Sequence, residues 1–329
     1  LQQVDAETES WLLRAKARGV VSWKAYMTYD FAIHGVALRR LCRMSKAAGV
    51  LLCVHCEDDA MLAAARQALV AAGKISPRYH AAARPAACEA AAIRELLAAA
   101  RAAGDAPVYI VHLSSAAGLA EIRAARQAGQ QNVYCETCPQ YLLLDDTRYL
   151  EQGEDGFAGA KYVMSPPLRK PTDIAALREA VADGEVDQIS TDHCSFNLHG
   201  QKDRGRGDFT KIPNGGPGVE HRPALIMTTF EGQLGPMDYL HLLSEGQARV
   251  FGMYPRKGAL AAGSDADICV WDPSARWTIS AANQHQAVDY TTYEGFEAHG
   301  RAKLVFVNGT LAVRDGEPTG EKPGRYVAR

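Results

Sequence analysis

Four residues whose side chains can bind a metal ion or move a proton lie in or directly after apolar stretches. They are Lys24 in SWKAY, His55 at the end of VLLCVH, His112 after VYIV and Asp192 in ISTDH. Imidazole nitrogens and carboxylate oxygens are preferred ligands of Zn²⁺, and burial lowers the pKa of a lysine amine. Each residue alone could instead be a snorkelling lysine, a hydrogen-bonded core histidine or a helix cap. Together they predict a divalent metal site.

The apolar stretches alternate with alanine-rich segments that have helical spacing. We predict strands within residues 19–29, 50–59, 107–115, 132–139 and 187–196. The strand and helix alternation predicts a parallel sheet with helices outside it. Parallel α/β barrels carry their chemistry at the C-terminal ends of several strands, so we expect the four side chains to lie close together.

The character of the chain changes after about residue 252. Short β-rich segments surround the turn dipeptides NG and DG, with no long helical segment between them. We therefore predict two domains: an α/β barrel over residues 1–252 and a small β-domain with a tail over residues 253–329.

Composition excludes several classes of partner. The 36 basic and 38 acidic residues give a net charge of −2, without the basic stripe of a nucleic-acid-binding protein. No apolar segment approaches the roughly 20 residues that cross a bilayer. The eight cysteines are spread through apolar segments, so we expect reduced thiols and a cytoplasmic location. A small neutral molecule is the expected ligand.

Two further patterns have ordinary interpretations. The segment CETC, which holds Cys135 and Cys138, has redox or zinc spacing, but we interpret it as two core thiols. Lys202, Arg204 and Arg206 are expected to form a solvated loop face near the mouth of the site.

Seven segments in order along the chain carry a family resemblance: SWKAYMTY, VHCEDD, VHLSS, KYVMSPPLR, ISTDHCSF, IPNGGPGVE and YPRKGALAAGSDADICVWDP. The chain resembles the hydantoinase and dihydropyrimidinase branch of the cyclic amidohydrolase superfamily. The resemblance implies a (β/α)₈ TIM barrel with a small β-sandwich, a hydrolase of cyclic amides or ureides, and a homo-oligomer, either a dimer or a tetramer.

The resemblance also implies the metal ligands. Lys24 resembles the lysine that is carboxylated by CO₂ and bridges two metal ions, most simply Zn²⁺. His55 and His112 resemble ligands of one ion, and Asp192 resembles a ligand of the other ion and the proton-transfer base. Metal ions make water acidic enough to attack an unactivated ring amide.

Three further residues resemble the groups that hold the substrate. Tyr29 resembles the tyrosine that stabilises the oxyanion, although a buried aromatic at strand alternation is the alternative. Ser165 and Asn214 resemble the pair whose backbone groups bind the substrate amide.

The chain departs from the family pattern at one place. The family has a His-x-His pair on its first barrel strand, and no two histidines here are two residues apart. We therefore expect an N-terminally incomplete barrel, strands 4–8, followed by the C-terminal part of the sandwich. At most one metal ion per chain and impaired activity are expected consequences.

Two alternatives to a hydantoinase or dihydropyrimidinase stay open. The missing His-x-His pair suits a non-catalytic, dihydropyrimidinase-related scaffold protein. Allantoinase-type and dihydroorotase-type enzymes are a second alternative, disfavoured by the segments SPPLR and NGGPG.

Overall fold

The computed structural model describes residues 4–329. Its central element is a parallel five-stranded sheet in which the strands follow one another in chain order. The strands are β1 (Ser22–Tyr26), β2 (Leu51–His55), β3 (Val108–Ile110), β4 (Val133–Thr137) and β5 (Gln188–Ile189). The predicted parallel α/β sheet is confirmed. The expectation that three earlier barrel strands are missing stays a prediction.

Helices connect the strands. They are α1 (Ala6–Ala17), α2 (Gly35–Ala48), α3 (Asp59–Ala71), α4 (His80–Ala83), α5 (Ala86–Ala102), α6 (Ala116–Gln127), α7 (Pro139–Leu143), α8 (Pro171–Ala182), α9 (Arg222–Thr229), α10 (Pro236–Leu240) and α11 (Gly246–Val250). A π-helical turn, His241–Glu245, joins the last two. Among residues 4–329, no helix combines the length and apolar character that a membrane span requires.

The two faces of the sheet differ in burial. In β1 the side chains of Trp23 and Ala25 are buried, whereas Ser22, Lys24 and Tyr26 are half-buried. Alternate residues of a strand point to opposite faces. The face that carries Trp23 forms part of the main apolar core, and the other face of the strand carries Lys24.

The strands are shorter than the apolar segments that predicted them. His112 lies two residues beyond β3 and Asp192 three residues beyond β5. Both have left-handed backbone, with φ of +43° and +48°, as does Tyr29 at +70°. Non-glycine residues adopt this conformation at some energetic cost, and such residues cluster at functional sites.

The C-terminal part is an antiparallel four-stranded sheet of β6 (Ile268–Thr278), β7 (Glu297–Val307), β8 (Thr310–Arg314) and β9 (Glu317–Pro318). The dipeptides NG at 308–309 and DG at 315–316 form the two tight turns between β7, β8 and β9, with positive φ at every residue. The segment between β6 and β7 packs on the helical part, where the Tyr290 hydroxyl donates to the Lys161 carbonyl at 3.1 Å. The domain boundary at 252 and 253 stays a prediction.

Candidate active site

One cavity of about 940 Å³ lies beyond the C-terminal ends of the parallel strands. All seven residues singled out in the sequence line this cavity: Lys24, Tyr29, His55, His112, Ser165, Asp192 and Asn214. They come from six separate parts of the chain. Four of these parts lie at or after the ends of parallel strands, which the sheet brings to one edge, and the other two are the loops of Ser165 and Asn214. The structure therefore brings the whole predicted set together, while the individual roles stay predictions.

The two histidines of the site are deeply buried. His55 and His112 are each 3% exposed, and their rings meet edge to face with centroids 4.5 Å apart. Burial lowers the pKa of both imidazoles, that of His112 most strongly. Both rings are therefore neutral at pH 7, the form in which an imidazole binds a metal ion.

Glu57 and Arg84, which the sequence analysis did not identify, fix the orientation of His55. The Glu57 carboxylate lies 2.8 Å from Nε2 of His55 and forms an ion pair with the Arg84 guanidinium. Burial alone would raise the pKa of Glu57, but the charge of Arg84 and the hydrogen bond to His55 outweigh it, so the pKa is strongly lowered. Because Nε2 is engaged, only Nδ1 of His55 remains for a ligand.

Replacing Arg84 with methionine should destabilise the protein. The substitution leaves the fully buried Glu57 carboxylate without its cation, and an uncompensated buried charge costs about 3–5 kcal/mol. Urea denaturation should therefore show a loss of about 3 kcal/mol or more in the free energy of unfolding. Arg206→Met is the control, since the Arg206–Asp155 pair is about half exposed and should contribute less than about 1 kcal/mol. Equal effects of the two substitutions would contradict this interpretation.

The segment VHLSS after β3 is held by Glu89 of α5. The buried Glu89 carboxylate accepts hydrogen bonds from the backbone N–H and the hydroxyl of Ser114, at 2.9 and 2.8 Å, and from the hydroxyl of Ser115. Ser115 also caps α6 by accepting from the N–H of Gly118. The two hydroxyls after His112 therefore fix the loop that carries this histidine.

Lys24 and Asp192 both line the cavity and interact electrostatically. Desolvation by the surrounding protein lowers the pKa of Lys24, although the charges of Asp192 and Glu136 act in the opposite direction. Desolvation also raises the pKa of Asp192 to about 6, against the effect of Lys24. Glu136 of β4 is held by the hydroxyl of Tyr109 at 2.7 Å. The site thus holds an amine whose pKa is lowered and a carboxyl group whose pKa of about 6 lies near neutral pH.

Ser165 and Asn214 lie on two loops that are joined by a hydrogen bond. The N–H of Gly215 donates to the carbonyl of Val163 at 3.0 Å. Gly215 has a φ of +156°, and a Cβ atom there would lie 2.1 Å from the carbonyl oxygen of Cys194. Only glycine permits this close approach.

Aromatic side chains form one wall of the cavity. The ring of Tyr26 packs edge to face against Tyr29 and Phe31, with centroids 6.1 and 5.2 Å apart. Desolvation raises the pKa of Tyr29, so its phenol keeps its proton at neutral pH. The wall offers an apolar surface together with a hydroxyl donor.

The donor set has the chemistry of a metal site that includes the lysine. Nδ1 of His112 is buried without a hydrogen-bond partner, and both histidines are neutral. Within the described chain, no three or more His, Cys, Asp or Glu residues form a metal-binding group by themselves. An ion at this site would thus need a ligand from Lys24 in addition to the histidines.

The structure confirms the interpretation of the CETC segment and contradicts that of Lys202. Cys135 and Cys138 are buried and free, which confirms that CETC holds core thiols. The placement of Lys202 on a solvated face was wrong, because its side chain is completely buried, while Arg204 and Arg206 are exposed. Its backbone lies in a short 3₁₀ turn that directs it inward, which a charge pattern along the sequence cannot reveal.

The sequence prediction also missed Glu57, Arg84 and Glu89, but not all for the same reason. Glu57 follows His55 by two residues, and a carboxylate near a strand-end histidine was a usable signal. Arg84 and Glu89 give no local signal, since their partners lie 27 and 25 residues away along the chain.

The sequence of the chain matches a known protein family. The profile of the amidohydrolase family matches residues 3–312. The chain belongs to the amidohydrolase family. This amidohydrolase is 40% identical over 314 residues to a D-phenylhydantoinase of Escherichia coli, an alignment that covers 94% of this chain and 67% of the relative.

Solved structures agree with this assignment. A dihydropyrimidinase from Brevibacillus agri superposes on the amidohydrolase with a TM-score of 0.96 at 38% identity, covering 100% of this chain and 72% of the other. An L-hydantoinase from Arthrobacter aurescens gives a TM-score of 0.88 at 26% identity, covering 99% and 72%. The amidohydrolase therefore is of the hydantoinase and dihydropyrimidinase type, which confirms the resemblance drawn from its motifs.

Proposed function

We propose that this chain is a metal-dependent hydrolase that opens the ring of hydantoins or dihydropyrimidines. One observation carries the proposal: two buried neutral imidazoles, a lysine and a carboxyl group converge on one cavity. The same cavity is lined by the protonated phenol of Tyr29 and by the Ser165 and Asn214 loops, which are joined by a hydrogen bond. The relatives named D-phenylhydantoinase and dihydropyrimidinase support this class of substrate.

The chain's own side chains would hold the metal ion. Lys24, His55 and His112 would bind it, with the amine of Lys24 carboxylated by CO₂ so that it offers oxygen ligands. Asp192 would bind a second ion where one is present. When bound, a divalent ion, Zn²⁺ by the chemistry of these ligands, makes a water molecule more acidic and polarises the ring carbonyl.

Asp192 would carry the proton through the reaction. The attacking water forms a C–O bond to the ring carbonyl carbon, and Asp192 accepts the proton that this water loses. Asp192 then passes the proton to the ring nitrogen as the C–N bond breaks, which opens the ring. A pKa of about 6 suits a group that must both accept and donate a proton near neutral pH.

Three residues would bind the substrate. The hydroxyl of Tyr29 would donate to the oxygen on which negative charge develops, since its raised pKa keeps the phenol protonated. Backbone groups of Ser165 and Asn214 would hold the ring amide. Because Tyr26 and Phe31 complete an aromatic wall, a hydantoin with an aromatic substituent at position 5 fits this site best.

The ligand set implies a limited metal content. Without a His-x-His pair, the second position keeps only Asp192 and a share of Lys24. Two ligands make a poor Zn²⁺ site, whereas three with an open position make a sufficient one. We therefore propose at most one tightly bound ion per chain, incomplete carboxylation of Lys24 and turnover well below that of the relatives. Assembly into a dimer or tetramer is also part of the proposal.

Metal analysis paired with a substrate panel tests the function. The purified 329-residue chain, incubated with Zn²⁺ and bicarbonate and then desalted, should retain no more than one equivalent of metal. Its slow ring-opening activity should be highest with 5-phenylhydantoin, lower with dihydrouracil and undetectable with allantoin and dihydroorotate.

Three results of these measurements would contradict the proposal, each in a different part. Two equivalents of metal with turnover equal to that of the relatives would refute the incomplete site. A preference for allantoin or dihydroorotate would refute the substrate class. Complete inactivity with bound metal would favour the non-catalytic scaffold, the alternative that the missing His-x-His pair suggests.

A further inference from the structure

Lys202 is a buried cation that belongs to no part of the proposed catalytic set. Its side chain is completely buried, and its ammonium donates to the carbonyls of Val163 at 2.8 Å and Pro213 at 3.0 Å. Within residues 4–329, the ammonium forms no salt bridge, and burial lowers its pKa to about 7. A methionine side chain would fill the same space without the cost of desolvating a cation. The feature that a lysine adds at this position is therefore its two hydrogen bonds to carbonyls.

The two carbonyls belong to the loops that carry the substrate-binding pair. Val163 lies two residues before Ser165, and Pro213 directly precedes Asn214. The ammonium therefore links the two loops through carbonyls that lie one or two residues before Ser165 and Asn214. A hydrogen bond from a charged donor is stronger than a neutral one.

Other contacts also fix these loops, and two of them engage carbonyls that Lys202 does not bind. The ring of His80 lies 2.8 Å from the Met164 carbonyl through Nε2, and the Tyr141 hydroxyl donates to the Pro166 carbonyl at 2.8 Å. The N–H of Gly215 donates to Val163, the carbonyl that Lys202 also binds. Only the Lys202 and Gly215 contacts link the 163–165 loop to the 213–215 loop among these bonds. The spacing between the loops thus depends on the ammonium together with the hydrogen bond of Gly215.

We propose that Lys202 is a positioning residue that sets the distance between the Ser165 and Asn214 loops and thereby the affinity for the ring amide. The inference rests on the proposed function, in which these loops bind substrate. Lys202 itself touches neither substrate nor metal. Its loss should therefore weaken substrate binding more than it slows the chemical step.

The first arm of the test does not require activity. In Lys202→Met, hydrogen exchange should be at least about tenfold faster at the N–H groups of Met164, Ser165 and Gly215, because the two hydrogen bonds donated by Lys202 are lost. Exchange in α5 should be unchanged. Lys211→Met is the matched control, since Lys211 lies nearby with its side chain 71% exposed. Unchanged exchange at Gly215 would overturn the proposal even if the chain proves inactive.

The second arm separates positioning from general loss of stability. With 5-phenylhydantoin, Lys202→Met should raise KM about tenfold and change kcat less than about threefold. Leu177→Ala, a fully buried position in α8 outside the cavity, is the control for destabilisation and should leave KM unchanged.

The outcomes distinguish the two proposals. An inactive wild-type chain refutes the proposed function, and the exchange arm still decides the role of Lys202. An active chain whose KM is unaffected by Lys202→Met overturns the role in substrate binding. If Lys202→Met and Lys202→Gln both fail to fold, Lys202 is needed for the fold as a whole and the specific positioning role is overturned.

Discussion

Replacing Asp192 with asparagine is expected to lower kcat for 5-phenylhydantoin by about 10²- to 10⁴-fold, the usual contribution of a general acid–base group. The amide keeps the shape and can coordinate weakly, but it cannot accept the proton from the attacking water. Product formation should be followed by chromatography at high chain concentration, because the wild-type turnover is expected to be low. Metal bound through His55 and His112 should be retained.

The control for this substitution is Asp183→Asn. Asp183 is exposed at the C-terminal end of α8 and lies outside the cavity, so its loss should leave turnover unchanged. Two results would argue against the role of Asp192. One is near-normal turnover in Asp192→Asn, and the other is the loss of all bound metal, which would make Asp192 a ligand first and a base second.

Removing divalent ions should reduce ring opening to the background rate. Among the described residues that line the cavity, both imidazoles are buried and desolvation raises the pKa of the Cys194 thiol, so water activated by a divalent ion is the expected nucleophile. Dialysis against a chelator followed by added Zn²⁺, Mn²⁺ or Co²⁺ should restore activity with at least one of these ions. The measurement is turnover against bound metal, determined on the same samples.

Histidine variants test where the metal binds. His112→Asn should lose both bound metal and activity, while His199→Asn, at an exposed position outside the cavity, should keep both. Full activity in a preparation shown to be free of metal would refute the metal-dependent mechanism. Retention of metal in His112→Asn would refute the assigned ligand.

Much of the site was predictable because it lies at the ends of strands. Apolar segments of strand length mark the sheet, and a parallel sheet brings the C-terminal ends of its strands to one edge. This geometry placed Lys24, His55, His112 and Asp192 in one region without any knowledge of tertiary contacts. The motifs around Tyr29, Ser165 and Asn214 added the rest of the cavity lining through family resemblance.

The sequence by itself determined the parallel sheet, the β-rich C-terminal part and the residues around the cavity, because these follow from local patterns and chain order. Only the tertiary structure decided which charged residues are buried. Lys202 lies in a segment that looks solvated, yet it binds carbonyls 39 and 11 residues away. Arg84 is likewise stabilised by Glu57, from a different segment. A buried charge is stable only where distant groups satisfy it, and those partners meet only after the chain has folded.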